Sequence, residues 1–149
     1  MTEKRIHVAS VVPPAVLAIA LGFHPGHVLA LVVGVLLPEV DTFDSRFHRS
    51  WVLHTFLAPA VAYNLVVQFG LDAMVPELRI AIHFVTVGMV FHFLFDFVYP
   101  KGMEHDGAEW PVRPTVFSEP WGLMWLGLSW FTQWFVYLSP YFLPWLIGQ

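Results

Sequence analysis

The sequence lacks cysteine and is poor in charged residues. None of its 149 residues is cysteine, which excludes disulfides and thiolate metal sites. Only 12% of the residues are charged, against roughly 25% in a typical soluble domain. The net charge of −4 comes without a basic run, so nothing indicates a nucleic-acid partner. This small charged fraction means that much of the surface faces something other than water, and lipid is the simplest candidate.

Hydrophobic residues make up 57% of the chain, and the mean hydropathy is +0.64. They predict an all-α fold: a single membrane domain over residues 1–149, built as a polytopic helical bundle of about four or five membrane segments. The apolar stretches are 8–22, 27–37, 51–70, 78–98 and 121–138. The first two are shorter than the roughly 20 residues of a spanning helix, so we expect a broken or re-entrant pair. Pro140 and Pro144 are expected to break the tail.

Lysine and arginine predict the orientation of this bundle. If all five stretches cross the membrane, six basic residues fall on one side and only Arg79 on the other. The positive-inside rule makes the side with six the cytoplasmic one. We therefore expect a multi-pass protein of the cell membrane, with its N-terminus and the loops 38–50 and 99–119 in the cytoplasm.

Two ionisable residues lie inside an apolar stretch, where charge is unfavourable. His92 and Asp96 are four apart within the run 91–97, so they share one face of a helix. An Asp at the centre of a bilayer costs about 2.5–3.5 kcal/mol on the insertion scale, and some interaction must offset that cost. The candidates are a metal site and an Asp–His or Asp–Arg pair that locks helices together.

Further ligand-type side chains surround the first predicted cytoplasmic loop. Glu39 and Asp41 are two apart and can both point into one site from an extended loop. His48 and His54 are six apart, about 120° off register on one helix. They can meet at one metal only if His48 lies in the loop and His54 on the first helical turns. Each residue alone is better explained as structural, but imidazole and carboxylate groups without thiolate together suit a catalytic zinc or manganese site.

Several short motifs occur in a fixed order, namely Leu37-Pro38-Glu39-Val40-Asp41, His48-Arg49, His54-Thr55, His92-x-x-x-Asp96, Tyr99-Pro100-x-Gly102 and Trp110-Pro111. This ordered set resembles the membrane-bound metal-dependent hydrolases, the family of YdjM-like, LexA-regulated inner-membrane proteins, over roughly residues 7–111. The resemblance implies a metal centre of His7, Asp41, His48, His54, His92 and Asp96. The sequence departs from the family pattern in four ways: Glu39 for Asp, Thr42 for His, Thr55 for Ser, and one extra residue between His48 and His54.

The expected function is that of a membrane-embedded metal-dependent hydrolase. Zinc lowers the pKa of a bound water to about 7, Glu39 is the preferred general base, and Arg49 could neutralise a phosphate oxygen. A phosphoester or lipid-like substrate at the cytoplasmic interface would suit this site, with the bilayer as main partner and a protein partner left open.

Two alternative functions stay open. One is a non-enzymatic membrane subunit, whose His/Asp cluster braces helices or binds a structural metal. The other is an ion or proton conductor that uses His92 and Asp96. A conductor needs further polar residues towards the far side of the membrane, and the sequence gives no sign of them.

Overall fold

The computed structural model describes residues 9–43, 51–98 and 119–148, and within these ranges it describes 41–43, 97–98 and 119–123 by their backbone alone. All regular structure in these ranges is helical, which confirms the predicted all-α class. In chain order the elements are α1 (Val12–Ala20), α2 (Gly26–Leu36), a 3-10 helix (Pro38–Phe43), α3 (Leu57–Gln68), α4 (Leu71–Met74), α5 (Glu77–Val98), α6 (Glu119–Gln133), a π-helix (Trp134–Phe142) and α7 (Leu143–Leu146).

One helix within the described ranges is long and apolar enough to cross a membrane by length and composition, over Glu77–Asp96. The helices α2 and α3 are apolar but shorter, at 11 and 12 residues. The described residues thus contain one candidate span of this kind, where about four or five membrane segments were predicted. The stretch 51–70 was predicted at spanning length, but 51–56 forms turns and bends. Pro59 accounts for the late start of α3, because a helix that ran on from Trp51 through residue 59 would need an N–H at 59 to donate to the carbonyl of Thr55, and proline has none.

The first two helices are separated by a short turn, as their lengths predict. Gly22 takes a left-handed backbone conformation with φ 87° just after α1. Its N–H donates to the carbonyl of Ile19 at 3.0 Å, and the N–H of Phe23 donates to that of Ala18 at 3.0 Å. Glycine adopts this conformation without a Cβ penalty, so Gly22 ends α1 and turns the chain towards α2.

The backbones of the helices α2 and α5 approach each other closely, and two glycines allow the approach. A Cβ added to Gly34 would clash with the backbone carbonyl of Val85, and one added to Gly88 would clash with the carbonyl of Leu31. Small residues at such a crossing let backbones come together, as is common in membrane helix pairs. This close crossing fixes the position of α5 relative to the end of α2.

The C-terminal helix does not break at Pro140. Helical geometry continues from α6 through the π-helix into α7. Because proline cannot donate to the residue four before it, the wider π turn accommodates Pro140 within the helix. The predicted break at Pro140 is therefore wrong, because the chain stays helical there. The π-helix packs Tyr137 and Phe142 against Tyr63 of α3 and the aromatic side chains around His83 of α5.

Candidate metal centre

Three predicted ligands meet where α5 passes the turn that leads into α3. His54, His92 and Asp96 each offer one ligand atom, and these atoms lie within 4.8 Å of one another. The two His residues are 2% and 1% exposed, and the Asp96 side chain is 12% exposed. His92 Nε2 lies 3.5 Å from Asp96 Oδ2. Two ligands at about 2.1 Å from a tetrahedral metal are about 3.4 Å apart, so this pair already has the spacing of a shared metal.

The imidazole of His92 is oriented by the backbone of α2. Its Nδ1–H donates to the carbonyl of Val35 at 2.9 Å. A neutral imidazole that donates through Nδ1 carries its lone pair on Nε2, which is the atom directed towards Asp96. Metal-ligating histidines commonly donate their other N–H to a carbonyl, which fixes the tautomer and the ring orientation. Val35 therefore gives His92 the arrangement that metal binding requires.

His54 is held by a turn and not by a helix. The prediction put it on the first helical turns, but α3 begins at Leu57 and His54 lies in a bend before it. The fully buried hydroxyl of Thr55 donates to the carbonyl of Trp51 at 2.7 Å and accepts from the N–H of Leu57 at 3.3 Å. The His54 ring packs against those of His92 and Phe93, with centroids 5.7 and 6.1 Å away. Thr55 thus fixes the turn that presents His54.

The remaining predicted site residues are placed only in part. Glu39 is half-buried in the 3-10 helix that follows directly on α2, one turn beyond Val35. Asp41 lies in the same short helix by its backbone, and its side chain is outside the described part. His7, His48 and Arg49 also lie outside the described residues, so their roles as ligands and as phosphate-binding group stay predictions.

The other described histidines lie away from this centre, towards the opposite end of α5. His27 contacts Glu77 through Nε2 at 3.1 Å, and its ring stacks on Phe84 with centroids 5.0 Å apart. His83 stacks on Trp145 with centroids 4.8 Å apart. His24 lies in the turn between α1 and α2, with its ring 6.3 Å from that of His27. They therefore do not belong to the cluster of His54, His92 and Asp96.

Sequence reasoning missed a set of buried polar side chains between these two ends. They are Thr86 on α5 and Ser129, Gln133 and Tyr137 on the C-terminal helix. The last three follow one another at intervals of four residues, so they share one helix face. The residues between them at 130, 131, 134 and 135 are apolar, and all four are exposed in the structure. The recurrence of a polar residue at every fourth position was therefore the signal available in the sequence. The view that polar residues are missing towards the far end was therefore wrong.

No protein-family model, curated protein or solved structure matches the chain. The resemblance to the membrane-bound metal-dependent hydrolases thus stays a prediction that rests on the motifs. The described structure supplies one observation towards it independently, a buried group of His54, His92 and Asp96 that could hold a metal ion.

Proposed function

We propose that the protein is a membrane-embedded metal-dependent hydrolase that acts on a phosphoester or lipid-like substrate. The single observation that carries the proposal is the buried group of His54, His92 and Asp96, with the Nε2 lone pair of His92 directed into it by the hydrogen bond to Val35. Two imidazoles and one carboxylate match the ligand type of catalytic zinc sites, which keep a position open for water or substrate. Manganese is the second choice, because it also accepts nitrogen and oxygen ligands.

The chemistry divides between the metal and the chain. When bound, the metal would act as a Lewis acid and make a water nucleophilic near neutral pH. His54, His92 and Asp96 hold and orient that ion. Glu39, one turn beyond Val35, is the proposed general base that takes the proton from the attacking water. Arg49 is the proposed partner of a phosphate oxygen, since guanidinium binds phosphate bidentately.

The surface supports the membrane part of the proposal. Large apolar side chains are exposed on each of the longer helices, for example Val16, Leu29, Val61, Val90 and Phe131. Monomeric soluble proteins rarely expose such contiguous apolar surface. We propose a multi-pass protein with the metal centre at the cytoplasmic interface, where a lipid head group or a soluble phosphoester can reach it. The helices α1 to α3 then cross as short or tilted segments next to α5.

Metal analysis of protein purified without chelator tests the proposal. We expect about one zinc or manganese per chain, and loss of phosphodiesterase or phospholipase activity on chelation with recovery on adding metal back. Asp96→Asn keeps the shape of the side chain but removes its charge, so metal content should fall sharply while the protein still extracts as a folded species. Asp72→Asn is the matched control, because Asp72 pairs with Arg79 at the other end of α5 and should leave metal content unchanged.

One observation favours the second candidate, a non-enzymatic subunit in which the cluster braces helices. The hydrogen bond from His92 to Val35 joins α5 to α2 whether or not a metal is present. If Asp96 serves only to hold His92 in this position, Asp96→Asn should leave metal content at its native value and lower the melting temperature. That pattern, with no chelator-sensitive activity, would rule out the hydrolase.

A further inference from the structure

An apolar groove runs along the outside of the bundle between α1, α2, α5 and α7. Its cavity volume is about 410 Å³, within the roughly 300–1,000 Å³ of small-molecule sites. The floor of the groove is buried and includes Ala18, Leu31 and Phe84. Its rim is open, with Leu17 59% exposed and Leu146 53% exposed. Because α5 is the candidate membrane span, the open side of the groove faces lipid in the proposed membrane protein.

Three aromatic rings form one end of this groove. The Trp145 ring lies against those of Phe84 and Phe23, with centroids 5.6 and 6.3 Å apart. The rings of Phe23 and Phe84 are themselves in edge contact, with centroids 5.1 Å apart. This end lies where α1 turns into α2, whereas Pro13 and Pro14 line the groove at the start of α1. The groove therefore has a defined length along α1.

The other end of the groove lies beside the candidate metal centre. On α5 the last residue to line it is Phe91, which directly precedes His92. On α2 its floor includes Leu31, one turn before Val35, whose carbonyl accepts the hydrogen bond from His92. Two helices thus lead from the apolar groove to the polar cluster. A ligand that lies in the groove and reaches the cluster needs an apolar body and a polar end.

The dimensions of the groove suit one extended chain. Pro13 and Leu21, which both line it, are eight residues apart and therefore about 12 Å apart along the helix axis. Its volume of about 410 Å³ over this length gives a mean cross-section of about 34 Å², against about 80 Å² for a helix 10 Å across. A helix from a second copy is therefore too wide to enter. An extended chain advances about 1.2 Å per bond, a third of the roughly 3.6 Å of an extended residue, so about ten methylene groups match the length.

The remaining segments of the protein's own chain do not match the groove in chemistry. Residues 1–8, 44–50 and 99–118 carry most of the charged residues of the sequence. Burying a charge in an apolar site without a partner is strongly unfavourable. A fatty acyl chain carries neither charge nor hydrogen-bonding groups, and a bilayer presents such chains along the whole open side of the groove.

We propose that the groove binds one fatty acyl chain of a phospholipid substrate, whose phosphate then lies at the metal centre. This inference rests on the proposed hydrolase and narrows its substrate from phosphoesters in general to a membrane phospholipid. The acyl chain enters from the bilayer through the open rim and holds the phosphoester beside His92. In the hydrolysis, one water adds across one P–O bond: its hydroxyl joins phosphorus, and its other proton leaves with the alcohol.

Photolabelling in vesicles tests the groove without reference to activity. The full chain is reconstituted into phosphatidylcholine vesicles that contain a phosphatidylcholine with a diazirine at the middle of one acyl chain. Mass spectrometry should then find the label on Phe84, which is buried in the floor where surrounding lipid does not reach it. Leu17→Trp fills the groove from the rim and should abolish this label. Val16→Trp is the matched control, because Val16 is equally exposed on α1 but lies outside the groove, and it should keep the label.

A second measurement compares hydrolysis of phosphatidylcholine with that of a soluble diester, bis(p-nitrophenyl) phosphate. Leu17→Trp should lower kcat/KM for phosphatidylcholine by about 10- to 100-fold, since displacing a bound substrate by about 1 Å can cost as much as 100-fold. The value for the soluble diester should not change, because only the lipid uses the groove. Val16→Trp should leave both values unchanged. If Leu17→Trp does not fold, Leu146→Trp fills the groove from α7, with the exposed neighbour Ile147→Trp as its control.

The outcomes separate the groove from the hydrolase. Labels at exposed positions such as Val16, with none on Phe84, would overturn the groove as a lipid site. An equal loss of activity on both substrates in Leu17→Trp would overturn the role of the acyl chain. Hydrolysis of the soluble diester alone by the native chain would overturn the phospholipid substrate and leave the hydrolase standing. A label on Phe84 that Leu17→Trp abolishes, in protein without chelator-sensitive hydrolysis, would keep the groove as a lipid site and overturn both the hydrolase and the substrate assignment.

Discussion

The two ring nitrogens of His92 are expected to have different roles. Nδ1 links α5 to α2 through Val35, and Nε2 is the ligand atom. The side-chain amide of asparagine can reach the position of Nδ1, whereas that of glutamine reaches the position of Nε2. Substitutions at this one residue can therefore separate the structural role of the imidazole from its role at the metal.

We predict that His92→Asn loses bound metal but keeps most of its stability, because an amide N–H can still donate to Val35. His92→Gln should also lose metal, and it should be less stable than His92→Asn by about 1 kcal/mol, the net value of one hydrogen bond. Metal stoichiometry and thermal unfolding in detergent measure the two effects. Equal stability of the two variants would show that the bond to Val35 contributes nothing.

The sequence predicted the pairing of His92 with Asp96 because their spacing of four residues depends only on helix geometry. It misplaced His54 because the turn before α3 depends on Thr55 and Pro59, whose effects are not visible in hydrophobic periodicity. The contact between His54 and His92 joins two chain segments, so no local pattern reveals it. Their predicted placement on the same side of the membrane and the order of the motifs suggested that these residues belong together.

Among the helices, the crossing of α2 and α5 controls the geometry of the candidate centre. The carbonyl of Val35 reaches His92 because Gly34 and Gly88 let the two backbones approach. Apolar runs predicted that both helices exist, and the structure contains both. The runs did not predict this crossing, because the clash that a Cβ would cause becomes apparent only when the two helices are placed together.

We predict that Gly34→Ala and Gly88→Ala each destabilise the bundle by about 1–3 kcal/mol, the usual range for overpacking. Both should also lower metal affinity, because separating α2 from α5 moves Val35 away from His92. Gly127→Ala is the matched control: a Cβ at Gly127 meets nothing within 4 Å, and alanine is the better helix former. Thermal unfolding and metal titration of the three variants check this. A native-like Gly88→Ala would contradict the close crossing.

The whole molecule has two distinct ends. Phe23, in the turn between α1 and α2, packs against Trp145 of α7 with ring centroids 6.3 Å apart, and Trp145 stacks on His83. At the other end, α2 leads into the 3-10 helix with Glu39, and the turn before α3 meets the last turns of α5. Of the lysine and arginine residues, only Arg79 lies within the described residues, so the six-to-one distribution stays a prediction.

The absence of cysteine makes the orientation directly testable. Single cysteines can be introduced as Thr2→Cys, Ala73→Cys and Met103→Cys and treated in intact cells with a membrane-impermeant maleimide. The positive-inside rule predicts that Ala73→Cys, next to the Asp72–Arg79 pair, reacts from outside, since Arg79 is the one basic residue on that side. Thr2→Cys and Met103→Cys should react only after the cells are permeabilised. If Ala73→Cys is protected until permeabilisation while Thr2→Cys reacts from outside, the bundle is inverted. The metal centre would then face the exterior, and a cytoplasmic phosphoester substrate would be excluded.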